Sequence, residues 1–116
     1  MRRREGAAGK AAVNSLTKSL ALEFGHVVRV NCVNPGLTRS ELTEILFDPK
    51  SAYYSIGQKL VDVIPRKAPA RPDEIANAIV FLASDEASFI NGACAPVDGG
   101  VSASNGQGAF LDAQSR

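Results

Sequence analysis

Between Val27 and Leu42 the chain alternates branched apolar residues with polar ones. Val28, Val30 and Cys32 fall on one face and Arg29 and Asn31 on the other, and a period of two predicts a strand. Asn34-Pro35-Gly36 ends it. Proline biases the residue before it towards an extended conformation and brings no amide to a ladder, while Gly36 is expected to turn through angles other residues avoid. Thr38 and Glu41 have the spacing of a capping box, with Ser40 a second candidate cap, so a helix is expected to begin there. Strand, tight turn and capped helix would set free backbone groups and two hydroxyls at a strand's carboxyl end, where open α/β sheets bind ligands. An ordinary strand-to-helix connection has the same local pattern.

Upstream, Ala12, Leu16, Leu20 and Phe24 recur at helical spacing, with Val13 and Ala21 widening the stripe; a helix over Ala8–Phe24 is predicted. Gly25 follows as an expected left-handed terminator. His26, the only histidine, has no acid spaced near it and reads as a solvated loop residue. Downstream, Ser40–Val63 predicts two short helices, broken at Asp48-Pro49. Tyr53 and Tyr54 fall in that interruption and read as exposed. Pro65–Pro72 reads as a linker rich in proline and positive charge, delivering Pro72 to the first position of a helix with Asp73 and Glu74 in its first turn. Ile75, Ile79, Val80 and Leu82 are the expected buried face. Ser84-Asp85-Glu86 looks like a cap restarting a short helical turn. Asn91-Gly92 is a tight turn, and Ala93–Val97 a second strand whose Pro96 suggests a sheet edge.

The order helix, strand, helical insertion, helix, strand implies a right-handed parallel pair. Two strands with flanking helices make an incomplete doubly wound α/β sheet. Such a sheet needs both faces covered and leaves an open edge.

With 116 residues the chain has room for one small domain. Its net charge of +1 and lack of a basic patch with interleaved aromatics argue against nucleic acid, and no apolar run has the length of a membrane span. Arg2-Arg3-Arg4 could imitate the start of a signal peptide, but Glu5, Lys10 and Asn14 interrupt any apolar region behind it. Cys32 and Cys94 are far apart in sequence and read as buried free thiols of a reducing compartment rather than a disulfide or metal pair. The cytoplasm is the default expectation.

Four stretches together resemble the C-terminal half of the short-chain dehydrogenase/reductase family. Lys10-Ala11-Ala12-Val13-Asn14-Ser15-Leu16-Thr17 is similar to the helix after that family's catalytic tyrosine. Val30-Asn31-Cys32-Val33-Asn34-Pro35-Gly36 is similar to the strand and turn that close over the nicotinamide. Ile64-Pro65 through Arg71-Pro72-Asp73-Glu74-Ile75-Ala76 resembles the approach to the last helix. Phe89-Ile90-Asn91-Gly92 through Val97-Asp98-Gly99-Gly100 resembles the final turn and strand. The resemblance runs in register from about Ala8 to Gly100. It implies part of a Rossmann-type, doubly wound fold, its last two parallel strands with flanking helices. It also implies NAD or NADP as cofactor and a small carbonyl or secondary-alcohol substrate, with a homo-oligomer expected and no nucleic-acid or membrane partner. The expected organisation is an unrelated or disordered segment 1–7, the half-domain 8–100 and a flexible tail 101–116.

Carried over residue by residue, the resemblance makes Lys10 the catalytic lysine, whose ammonium holds the nicotinamide ribose and lowers the pKa of a tyrosine one turn earlier. Pro35, Gly36 and Thr38 would line the carboxamide, and Ser40 would supply a hydroxyl to the carboxamide or pyrophosphate. Asp98, Gly99 and Gly100 would shape the turn after the last strand and an oligomer contact. The chain also departs from the family. The position four before Lys10 is Gly6, no glycine-rich phosphate loop follows a first strand, and the ribose selector and the serine-bearing strand are absent. Met1-Arg2-Arg3-Arg4-Glu5-Gly6 resembles nothing in the family. The expectation is a truncated member of the family or a gene model that begins late, inactive by itself. The alternative is a non-catalytic fragment that self-associates or pairs with full-length relatives.

Overall fold

Parallel pairing of two four-residue strands organises the chain. In the computed structural model, which describes residues 2–103, β1 (Cys32–Pro35) lies beside β2 (Cys94–Val97) in a two-stranded sheet. The Cys32 amide donates to the Ala93 carbonyl at 2.9 Å and the Gly36 amide to the Val97 carbonyl at 3.0 Å. Partners advancing in the same direction along both strands mean a parallel pair. Three α-helices complete the order: α1 (Arg2–Phe24) before β1, then α2 (Tyr54–Asp62) and α3 (Pro72–Ala83) between the strands. Short 3-10 turns occupy Glu44–Leu46, Asp85–Ala87 and Val101–Ala103. The partial doubly wound α/β fold expected from the pattern is present. Of the tail, the structure describes only its first three residues, and the rest of that expectation lies outside the described residues. The described residues form two compact units, 2–34 with 76–95 and 35–75 with 96–103.

In the first unit, α1 begins earlier than its apolar periodicity marks, because an Ala-rich stretch sustains a helix without a buried stripe. The expected stripe is largely in solvent: Leu16 is 58% and Val13 53% exposed, and the buried positions are Thr17 and Ala21. The Thr17 hydroxyl donates to the Val13 carbonyl at 2.8 Å, which satisfies it under cover. Likewise Ile79 and Val80 of α3 are exposed, contrary to the expected buried face. A sheet of two short strands lacks the area to cover both helical stripes.

The strand is also shorter than its alternation predicts. Val28 and Val30 lie before the ladder, since a strand exists only where a partner runs beside it, and side chains hold that approach instead. The Arg29 guanidinium donates to the carbonyls of Leu82 (2.7 Å), Ser84 (3.0 Å) and Ile90 (3.1 Å), tying the end of α3 to the entry of β1. Asn91 accepts from the Val30 amide at 2.9 Å and donates to the Ala21 carbonyl at 3.0 Å. Asn31 accepts from the Ala93 amide and donates to the Ile90 carbonyl, both at 2.9 Å. Gly25 is not the left-handed terminator expected, because the described glycines with positive φ are Gly92, Gly99 and Gly100. It is small for another reason: a Cβ there would stand 2.6 Å from the Ala21 carbonyl oxygen and 2.8 Å from the Asn91 amide nitrogen. Ser84 starts its 3-10 turn without capping it, as its hydroxyl turns back to the Phe81 carbonyl.

In the second unit the proline-rich linker is pinned. Ala70 bridges Thr38 in parallel: its amide donates to the Leu37 carbonyl at 2.8 Å and its carbonyl accepts from the Arg39 amide at 2.9 Å. Arg71 then precedes α3 in a capping-box arrangement, its amide donating to the Glu74 carboxylate at 2.8 Å. Ile64 is buried, and Gly99 leaves no room for a side chain over it, since a Cβ would come within 2.7 Å of the Ile64 methyl. Gly99 and Gly100 both have positive φ. Asp98 fastens this turn: one carboxylate oxygen accepts from the Gly100 amide and the other from the Ser102 amide, each at 3.0 Å.

Two outcomes follow from these contacts. Arg29→Met removes three hydrogen bonds to backbone carbonyls at once and should cost about 2–3 kcal/mol in urea unfolding, whereas Lys50→Ala should stay within about 0.5 kcal/mol. The Asp98 carboxyl is held below its ordinary pKa, first by hydrogen bonding to Ser102 and then by the backbone bonds of this turn. Its stabilising contribution is therefore complete above the unfolded value of about 3.9 and fades as pH falls through the lowered folded one. Urea midpoints measured down a pH series should drop more steeply in this acid range for the native chain than for Asp98→Asn.

Candidate functional site

The turn after β1 gathers four of the residues singled out in the sequence, Pro35, Gly36, Thr38 and Ser40, within the second unit. Gly36 is needed here for close approach and not for a left-handed angle: its φ is not positive, and a Cβ would lie 2.7 Å from Asp98 Cα. The Thr38 hydroxyl donates to the Gly36 carbonyl at 3.0 Å, folding the turn on itself.

No capping box forms at Thr38 and Glu41. The organising residue is Thr43, which the sequence reading passed over. Its hydroxyl donates to the Thr38 carbonyl at 2.7 Å, accepts from the Ser40 amide at 2.9 Å and lies 3.2 Å from the Ser40 hydroxyl. Thr43 fastens the loop before the 3-10 turn Glu44–Leu46 without capping it with its side chain, and the chain enters that turn instead of an α-helix. Thr43 sits three residues from Ser40, and that Ser-x-x-Thr spacing is the signal that could have located it. Arg39 braces the same turn, 3.7 Å from the Glu44 carboxylate and stacked 4.7 Å over the Phe47 ring. The expected two helices reduce to this 3-10 turn and α2, where Gly57 packs directly against the Leu46 carbonyl. Tyr53 is exposed, as expected, while Tyr54 is half-buried at the start of α2.

Among the described residues, the Leu37 and Thr38 amides meet no protein acceptor. Two free donors in a turn whose own hydroxyls are occupied, with an exposed serine hydroxyl two residues on, suit a planar carboxamide. Its oxygen would accept from backbone N–H and its nitrogen would donate to hydroxyl or carbonyl oxygen. The residues present therefore fit the nicotinamide end of a dinucleotide. On the Ala70 side of the turn lies a cavity of about 340 Å³ lined by Leu37, Ile64, Arg66, Ala70, Arg71 and Asp98. Its charges are largely engaged: Arg71 pairs with Asp73 at 3.1 Å and Glu74 at 3.5 Å, and Asp98 with backbone amides. Asp73 sits below its ordinary pKa, chiefly through its hydrogen bond from Arg71.

Lys10 belongs to the first unit, on α1, with its side chain in solvent. Gly6 stands one turn before it on the same face, exposed, and a Cβ there would meet nothing within 4 Å. His26 is exposed in the turn after α1, as expected. Among the described residues, no cluster of histidine, cysteine or acidic side chains could hold a metal ion, and no helix is long and apolar enough to cross a membrane.

Comparison with known proteins places these features in a family. The sequence model of a family described as enoyl-(acyl carrier protein) reductase matches residues 5–102, so the likeness begins at Glu5, earlier than the sequence motifs indicated. The chain is 44% identical over 101 residues to meso-2,3-butanediol dehydrogenase of Serratia marcescens, covering 86% of this chain and 38% of that protein. The crystal structure of an oxidoreductase of the short-chain dehydrogenase/reductase family from Burkholderia thailandensis superposes with a TM-score of 0.78 at 38% identity, over 92% of this chain and 41% of that one. A putative 2-deoxy-d-gluconate 3-dehydrogenase from Agrobacterium tumefaciens, solved with bound NADP, gives a TM-score of 0.75 at 35% identity, over 83% and 38% of the two chains. The chain thus spans a little over a third of the length of the curated relatives it matches. A match of this extent, in sequence and in backbone, settles the family: the chain belongs to the short-chain dehydrogenase/reductases.

Proposed function

We propose that this chain forms the nicotinamide-side wall of an NAD- or NADP-dependent redox site for a small carbonyl compound or secondary alcohol, and that taken alone it does not turn over. The observation that carries this reading is the pairing of an intact turn, with the free Leu37 and Thr38 amides, with a glycine one helical turn before Lys10. When bound, the nicotinamide supplies or accepts the hydride. Pro35, Gly36 and Thr38 would hold its carboxamide through the backbone, the Ser40 hydroxyl would reach the carboxamide or pyrophosphate, and the Lys10 ammonium would hold the ribose. What is missing is a group to exchange a proton with the substrate oxygen. An ammonium on this face can lower the pKa of an acid one turn away, and Gly6 offers none.

The substrate class and the cofactor are carried over from the family. The cytoplasm is the default compartment, one in which two free thiols stay reduced. Without a positioned acid–base group a loss of about 10²–10⁴ in rate is expected, and the sequence has no glycine-rich loop between a strand and a helix to cradle the pyrophosphate. NADH and NADPH oxidation against a panel of ketones and aldehydes should stay at background for the native chain. Turnover that Lys10→Ala abolishes would refute the reading.

A second reading, a non-catalytic protein that associates with itself or with full-length relatives, is favoured by the first unit's surface. Leu22 is 88% exposed and Phe89 fully so. A hollow of about 360 Å³ there is lined by Val28, Arg29, Val33, Ile79 and Leu82. Exposed apolar surface of this kind marks association. Sedimentation velocity should show concentration-dependent assembly, and a monodisperse folded monomer would remove this second reading.

A further inference from the structure

The parallel register sets the two cysteines face to face. In such a ladder, a residue whose amide donates to the carbonyl of residue j−1 stands opposite residue j. The Cys32 amide donates to Ala93, so Cys32 stands opposite Cys94. Neighbouring strands run about 4.8 Å apart, inside the Cα separation of roughly 4.4–6.8 Å that a disulfide spans. Both side chains leave the sheet on the face that α1 covers. The Cys32 thiol donates to the Asn14 side-chain oxygen at 3.3 Å and the Cys94 thiol to the Asn14 carbonyl at 3.7 Å. Two sulfurs sharing one residue of the helix above them are neighbours. Cys94 holds its proton more firmly than an ordinary thiol, first through a hydrogen bond with the Cys32 thiol and then through burial, with Lys18 opposing. Both residues are half-buried, free and within the first unit.

We infer that Cys32 and Cys94 form a redox-reactive dithiol that a hydroperoxide converts into a disulfide joining β1 to β2. One thiol attacks the peroxide; its sulfur gains an oxygen, the O–O bond breaks, and water or an alcohol leaves. The second thiol then attacks the resulting sulfenic sulfur, the S–S bond forms, the S–O bond breaks, and a second water leaves. The dithiol loses two protons and two electrons, and the peroxide takes up the same amount. The product locks the strand pair, and Asn14 loses both sulfur donors.

The test treats the reduced full chain with hydrogen peroxide. The expected result is loss of both titratable thiols, a mass lower by two hydrogens, migration as a single chain without reductant, and a tryptic species linking the Cys32 and Cys94 peptides that dithiothreitol splits. The native chain should form this link at least about tenfold faster than the same chain unfolded in urea, where the thiols must find each other across a long loop. Cys32→Ser and Cys94→Ser should each stop instead at a sulfenic acid or an intermolecular dimer. Retention of both thiols, separate oxidation of each to sulfinic acid, links only between chains, or equal rates in buffer and urea would each overturn the inference.

Discussion

The ladder between β1 and β2 is the interaction on which everything else in this chain depends. Two strands of four residues cannot hold by their own hydrogen bonds, since even a longer isolated pair is marginal in water. Here the pairing is braced from both ends. Upstream, Arg29, Asn31 and Asn91 use side chains to do what further rungs would otherwise do, each closing bonds to backbone more than fifty residues away. Downstream, Asp98 locks the exit of β2 while Gly36 lets the exit of β1 lie directly against it. The polar residues flanking the strands thus stabilise the pair as much as the apolar residues within them.

The same small sheet explains the apolar surface. Helices α1 and α3 carry stripes suited to a broad sheet, and two short strands can cover little of either. Among the described residues the buried apolar set is Ala21, Ile64 and Ala87, with no large side chain fully enclosed. Small residues are buried where elements touch closely, and large ones at the periphery stay wet. Relatives more than twice as long have far more chain with which to cover such stripes.

Chemistry divides along the same line. The turn at Pro35–Ser40 is complete as a piece of structure because every bond that shapes it is local or comes from the linker at Ala70 and the end of β2. A backbone turn keeps its shape wherever the backbone path survives. A side-chain function needs one particular residue at one position, and one turn before Lys10 on the same face the residue is a glycine.

The sequence by itself determined the element order, the α/β class, the turn after β1 and the family resemblance, because all of these are written in periodicity, turn chemistry and short motifs. Pro72 and Glu74 fixed the start of α3, and the ends of β2 were placed to within a residue. Only the tertiary structure decided which faces are buried: Val13, Leu16, Ile79 and Val80 have core-like patterns and lie in solvent, since a stripe is buried only if something lies opposite it. It also decided the roles of Gly25, Gly36 and Thr43, which answer to close approach and to partners rather than to local angles or caps. Cys32 and Cys94 are the clearest case. Sixty-two positions separate them in the chain, nothing in spacing relates them, and the register of a parallel ladder alone sets one sulfur beside the other.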